Sequence, residues 1–271
     1  MPIAKFIKRH NRVQKLHLGK AHNFDIEDDQ LSSRIIPILV EGGFNDLRRL
    51  SLSWSGERLP YDSKVCEDNF PEISLVALGT IGSLEQLSLR FGGSNNWLIN
   101  HDKLRQHLRS LNRLKMLALL HDTYYRPELK HINPANYYYR RFVMESDHMD
   151  ADARLGHDAD EDDGLGPDET MEYPPVISIH SNVDGDEYVS FDYRIPDRRT
   201  WERAHRNRML IQAEAYAEVL PELGWVYCGQ RPMGLRPHLG EDGVVRKEAI
   251  PLSKQRATCG AFLSKTFGIE R

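Results

Sequence analysis

The sequence predicts an α/β solenoid, with parallel strands on a concave face and helices on a convex face. Three observations carry that expectation. A short pattern, L-x-x-L-x-L, occurs as Leu47-x-x-Leu50-x-Leu52, Leu84-x-x-Leu87-x-Leu89 and Leu114-x-x-Leu117-x-Leu119. Variants stand at Val13-x-x-Leu16-x-Leu18 and Leu220-x-x-Leu223-x-Trp225. A helix-forming segment and a tight turn recur ahead of these strands, and one helix with one strand cannot cover its own apolar face. Such units bury that face by stacking on each other, so the fold expected is leucine-rich-repeat-like.

Each element follows from local pattern. Ile3 to His10 has apolar Ile3, Phe6 and Ile7 at helical spacing among Lys5, Lys8 and Arg9. The first strand runs from Arg12 to Gly19, with Leu16 and Leu18 on one face and Lys15 and His17 on the other. Ser33 to Glu41 reads as a short helix; Ser32 or Ser33 is placed to cap it, Pro37 is tolerable in its first turn, and Gly42-Gly43 stops it. The second strand is Leu47 to Trp54. Phe70 to Ile81 reads as a helix through Ile73, Val76, Leu78 and Ile81, and the third strand follows it. Asp102 to Leu111 carries Leu104, Leu108 and Leu111 at i, i+4 and i+7 with Asn100 or Asp102 as cap, and leads into the fourth strand.

The matching leucines Leu16, Leu50, Leu87 and Leu117 are 34, 37 and 30 residues apart (50−16, 87−50, 117−87). Residues 1–144 are therefore read as a solenoid of four strand repeats. From Glu145 to Glu172 there are twelve acidic residues and one basic one, Arg154, so this stretch carries −11 of the net −4 and leaves +7 for the rest. It has few large apolar side chains and is expected to be an acidic disordered insertion. Residues 173–233 return to the same domain: a hairpin around Asp184-Gly185, a long helix from Thr200 to Leu220, and a fifth repeat strand over Leu223 to Cys228. Residues 234–271 are read as a polar tail with a closing cap helix over Cys259 to Phe267.

Composition restricts function. The chain is 40% hydrophobic and 28% charged, an ordinary globular balance. Its three cysteines, Cys66, Cys228 and Cys259, form no C-x-x-C and predict neither a disulfide framework nor a zinc site. No run of apolar residues reaches membrane-spanning length, and the expectation is an intracellular protein. Asp158, Asp160, Asp162 and Glu169 fall at calcium-loop spacing, but the sixth position, which needs glycine, is Asp163. No G-x-S-x-G, H-E-x-x-H or phosphate-binding loop occurs, so no catalytic residue, metal or cofactor is assigned and the chain is expected not to be an enzyme.

A protein partner is expected on the concave face and strand ends, with Lys15, His17, Arg49, Ser51, Trp54, Gln86, Ser88, Arg90 and Phe91 as the candidate contacts. The second reading is nucleic-acid or polyanion binding by the basic end, which carries Lys5, Lys8, Arg9, Arg12, Lys15 and Lys20.

The junction Leu111-Asn112-Arg113-Leu114-Lys115-Met116-Leu117-Ala118-Leu119 resembles the repeat half of fungal F-box-like proteins. So do the stretch from Glu214 to Met233, the segment Ile250-Pro251-Leu252-Ser253, and Thr266-Phe267-Gly268. That resemblance implies a recognition subunit of a cullin ubiquitin ligase, in which the repeats select the partner. An N-terminal F-box would bind the Skp-type adaptor; this chain starts almost directly at a repeat, so adaptor binding is expected only if an F-box lies upstream.

Overall fold

The computed structural model describes residues 2–18, 31–55, 71–92, 100–120, 145–152, 198–229, 231–240 and 242–251. The expected hairpin, the calcium-like spacing and the closing cap helix lie outside these residues. The chain divides into two units, Met1–Arg126 with Met209–Arg271, and Pro127–Arg208.

The first unit alternates helix and strand. Its elements are α1 (Pro2–Arg9), β1 (Lys15–Leu18), α2 (Ile36–Glu41), β2 (Arg49–Ser55), α3 (Glu72–Gly79), β3 (Gln86–Gly92), α4 (His101–Leu108) and β4 (Met116–Leu120). After the second unit come the rest of a long helix, then β5 (Trp225–Gly229), β6 (Arg231–Leu239) and β7 (Val245–Pro251). The fold is mixed α/β around one open, seven-stranded sheet in sequential order β1 to β7. The first five strands are parallel, and Leu16, Leu50 and Leu87 are register partners in turn, with Leu87 opposite Leu117. Strands β6 and β7 are antiparallel.

A repeated backbone device fixes this register. Two successive N–H groups at each strand start donate to a single carbonyl of the preceding unit. Arg48 and Arg49 donate to Gln14, Glu85 and Gln86 to Arg48, Lys115 and Met116 to Glu85, and Gly224 and Trp225 to Lys115. The turn before each strand is closed the same way, by N–H bonds from Leu47 to Phe44, Leu84 to Ile81, Leu114 to Leu111 and Leu223 to Leu220. Hydroxyls stitch neighbouring units: Ser83 donates to the Leu47 carbonyl at 2.8 Å and Ser110 to that of Gly79 at 2.6 Å.

These bonds show that the repeat frame is longer than the six-residue pattern. It is nine residues, apolar at positions 1, 4, 7 and 9: Phe44, Leu47, Leu50 and Leu52; Ile81, Leu84, Leu87 and Leu89; Leu111, Leu114, Leu117 and Leu119. All twelve belong to one buried core. The fifth copy is then Leu220, Leu223, Val226 and Cys228, all fully buried, because Val226 pairs with Leu117 and Cys228 with Leu119. The expected Leu220-x-x-Leu223-x-Trp225 frame is corrected. It sits three residues out of step, and an odd shift along a strand exchanges the two faces.

Helices follow their patterns with two differences. On α4, Asn100 accepts from the Lys103 N–H at 3.0 Å, and Leu104, Leu108 and Leu111 are buried, as expected. On α2 no serine caps the start; a π-helical turn over Leu31–Ile35 leads into it instead. On α3 the buried side chains are Leu75 and Leu78, whereas Ile73 is 75% exposed. The polar tail from residue 234 is corrected in part, since Arg231–Leu239 and Val245–Pro251 form strands whose Met233, Leu235 and Ala249 join the core.

In the second unit, the start of the acidic insertion is helical rather than disordered: α5 spans Glu145–Asp152. Its reason is a cation. Asp147, fully buried, and Asp150 both accept from the Arg208 guanidinium, the latter at 2.7 Å. Arg208 lies on α6 (Arg198–Val219), whose Asn207 amide donates to the carbonyls of Asp150 and Ala151 near the end of α5. Two acidic residues of the stretch are thus ordered by pairing, which local composition alone does not reveal.

Candidate functional site

Leu50, Leu87, Leu117 and Val226 pack against the helices, so the alternate strand residues form the second face of the sheet. Register arranges them in rows crossing the strands. One row is Lys15, Arg49, Gln86, Met116 and Trp225; the next is His17, Ser51, Ser88, Ala118 and Tyr227. Ser53 and Arg90 pair in a third. The face therefore grades from cations at β1 and β2, through hydroxyls and an amide, to a thioether and two aromatic rings.

Seven of the nine expected contacts are brought onto this face: Lys15, His17, Arg49, Ser51, Gln86, Ser88 and Arg90. Lys15, His17, Arg49 and Arg90 are exposed. None of these four makes an ion pair or a side-chain hydrogen bond with a described residue. Ser51 and Ser88 are buried at 7% and 0% exposure, so they form a floor and not a contact surface. The Ser88 Oγ and Gln86 Oε1 atoms are buried without a hydrogen-bond partner. An unsatisfied buried polar atom carries a desolvation penalty of about 1–3 kcal/mol.

Trp54 is corrected. It is 1% exposed, packs in the leucine core, and its indole N–H donates to Ser32 Oγ at 3.2 Å. The period of two that buries Leu50 and Leu52 carries on to position 54. Phe91 is the register partner of Trp54; its side chain lies outside the described residues.

Trp225 and Tyr227 are the residues that sequence reasoning missed. Their rings stack at 6.3 Å with an interplanar angle of 22° and pack with Ala118 and Met116. The signal was present: aligning Leu111-Asn112-Arg113-Leu114 with Leu220-Pro221-Glu222-Leu223 places both rings on this face. Residues next to the row are spoken for. Arg48 donates to Glu85 at 3.2 Å, and Lys115 lies 3.8 Å from the same carboxylate.

At the basic end, α1 exposes Lys5, Lys8 and Arg9, and Phe6, 61% exposed, lies against the His10 ring at 4.3 Å. Among the described residues, no group of three or more His, Cys, Asp or Glu side chains is placed to hold a metal ion. Among the same residues, no helix is long and apolar enough to cross a membrane. No family model, no curated protein and no solved structure matches the chain.

Proposed function

We propose that the chain is a non-catalytic protein-interaction scaffold, built as a leucine-rich-repeat-like solenoid, whose second sheet face receives a protein partner. The observation that carries this reading is the set of exposed side chains Lys15, His17, Arg49 and Arg90, held on adjacent strands with no counter-ion among the described residues. A rigid, hydrogen-bonded sheet presents them at fixed spacing, so little ordering entropy remains to be lost on binding. The F-box-like resemblance belongs to the same proposal. It casts the repeats as a partner-selecting surface of a ubiquitin ligase, with an adaptor contact only if an F-box precedes them.

The test is affinity capture from the native host with wild type and with the double variant Arg49→Glu/Arg90→Glu. Loss of specific partners from the variant, with an unchanged thermal melt, is the expected result. Retention of the same partners removes this face from the reading.

A second reading, polyanion binding at α1, is favoured by the exposed Phe6–His10 ring pair among Lys5, Lys8 and Arg9. Rings flanked by cations are how single-stranded nucleic acid is held. Steeply salt-dependent oligonucleotide binding that Phe6→Ala weakens would favour it.

A further inference from the structure

We infer that the partner presents an acidic, extended peptide segment, whose carboxylates meet Lys15, Arg49 and Arg90 on the second sheet face. This rests on the docking role proposed for that face. Lys15 and Arg49 are direct register partners on neighbouring strands, about 4.8 Å apart. Like charges placed directly opposite each other are destabilising. The described face of β1 to β4 holds no carboxylate: its rows are Lys15, Arg49, Gln86 and Met116; His17, Ser51, Ser88 and Ala118; Ser53 and Arg90. The nearby acid, Glu85, is engaged by Arg48 and Lys115. No described carboxylate relieves the repulsive pair, and a partner's anion would.

Spacing makes that anion extended. Arg90 pairs with Ser53, four residues beyond Arg49 along the strand direction, so the two backbone positions are separated by about 13 Å of strand rise. A compact anion meets both only if the two side chains bend toward each other, whereas an extended chain with acids about four residues apart spans the same rise directly.

Between Arg49 and Arg90 the described face carries Ser51, Ser53, Gln86 and Ser88, with no aromatic ring on which a base could stack, which favours a peptide over single-stranded nucleic acid.

The experiment is fluorescence anisotropy on the full chain with three labelled probes: a glutamate–glycine peptide, its glutamine–glycine counterpart, and a single-stranded oligonucleotide of the same charge. The glutamate peptide should bind in a salt-dependent way. Arg49→Gln/Arg90→Gln should weaken it by roughly tenfold or more, the scale of losing charge-assisted hydrogen bonds, whereas Arg113→Gln at an exposed turn should not. Three results overturn the inference: no preference for glutamate over glutamine, an equal loss from Arg113→Gln, or tighter oligonucleotide binding with the same dependence on Arg49 and Arg90. If host partners are lost from Arg49→Glu/Arg90→Glu while the glutamate peptide fails to bind, acidic-peptide recognition is wrong and the docking face stands. If partners are retained by that variant, the docking face itself is wrong.

Discussion

At Gly79 the backbones of two neighbouring repeats approach closely, and replacing it tests whether they stack as described. It is the last residue of α3 and is buried. A Cβ built there would lie 2.1 Å from the His107 carbonyl oxygen at the end of α4 and 3.4 Å from Ser110 Oγ. The first contact is with backbone, so no rotamer change relieves it. The two helix ends must separate, and the Ser110–Gly79 hydrogen bond at 2.6 Å goes with them. Overpacking of this kind costs about 1–3 kcal/mol or more, and the lost hydrogen bond about 1. Alanine recovers up to about 1 kcal/mol of helix propensity. Gly79→Ala should therefore destabilise by about 2–3 kcal/mol, lowering Tm by about 5–10 °C. Gly82, three residues on, has nothing within 4 Å of its Cβ position. Gly82→Ala should stay within about 0.5 kcal/mol of wild type. Urea unfolding of both variants, followed by circular dichroism, reads the difference. If Gly79→Ala proves as stable as Gly82→Ala, the ends of α3 and α4 are not in backbone contact and the stacking argument fails.

Leu87→Ala, at a fully buried core site, should cost about 2–5 kcal/mol. Ile73→Ala, at a site 75% exposed, should change stability by about 0.5 kcal/mol or less in the same urea assay. Arg208→Met removes the Arg208 guanidinium from the buried Asp147 carboxylate, a loss of up to about 3–5 kcal/mol. Hydrogen exchange should then show residues 145–152 unprotected. In the β6–β7 turn, the Arg246 guanidinium and the Val244 N–H hold the Asp242 carboxyl below its ordinary 3.8. A depressed folded-state value means this contribution is present above about 3.8 and lost as pH falls through the folded value. A carboxyl NMR titration should place the Asp242 midpoint below that of an unfolded peptide; a midpoint at or above it would refute the pairing.

The parts of the fold legible in sequence were those where one face is apolar and the other is not. Leu104, Leu108 and Leu111 had a single helical reading, and Leu16, Leu50, Leu87 and Leu117 had a single strand phase. Residues 72–79 are apolar on two sides, with Ile73 and Val76 competing against Leu75 and Leu78, so period alone did not say which side faces inward. Strand β6 was hidden by Pro232, Pro237 and its charges, which normally argue against a strand. Trp54 was legible from its phase with Leu50 and Leu52, which puts it on the leucine face. The positions of Lys15, His17, Arg49 and Arg90 on the second face are legible because their strands are in frame. Trp225 and Tyr227 were lost because the fifth was not.

That fifth strand also explains how the fold tolerates its insertion. Leu117 and Val226 are register partners although 109 residues apart (226 − 117), against 30 between Leu87 and Leu117. Loop closure grows only with the logarithm of length, about 0.6 kcal/mol per doubling, so the extra length costs about 1 kcal/mol. Burying one more leucine-sized side chain offsets that, at about 1.5–3 kcal/mol. What cannot vary is the turn that delivers the strand in frame, in which Leu223 N–H reaches Leu220 and Gly224 and Trp225 both reach Lys115. These are backbone bonds, indifferent to side chain, which leaves the positions supplying the carbonyls free to differ as Gln14, Arg48, Glu85 and Lys115 do. The same freedom lets the second face change from cationic to aromatic across five strands while the leucine face stays constant.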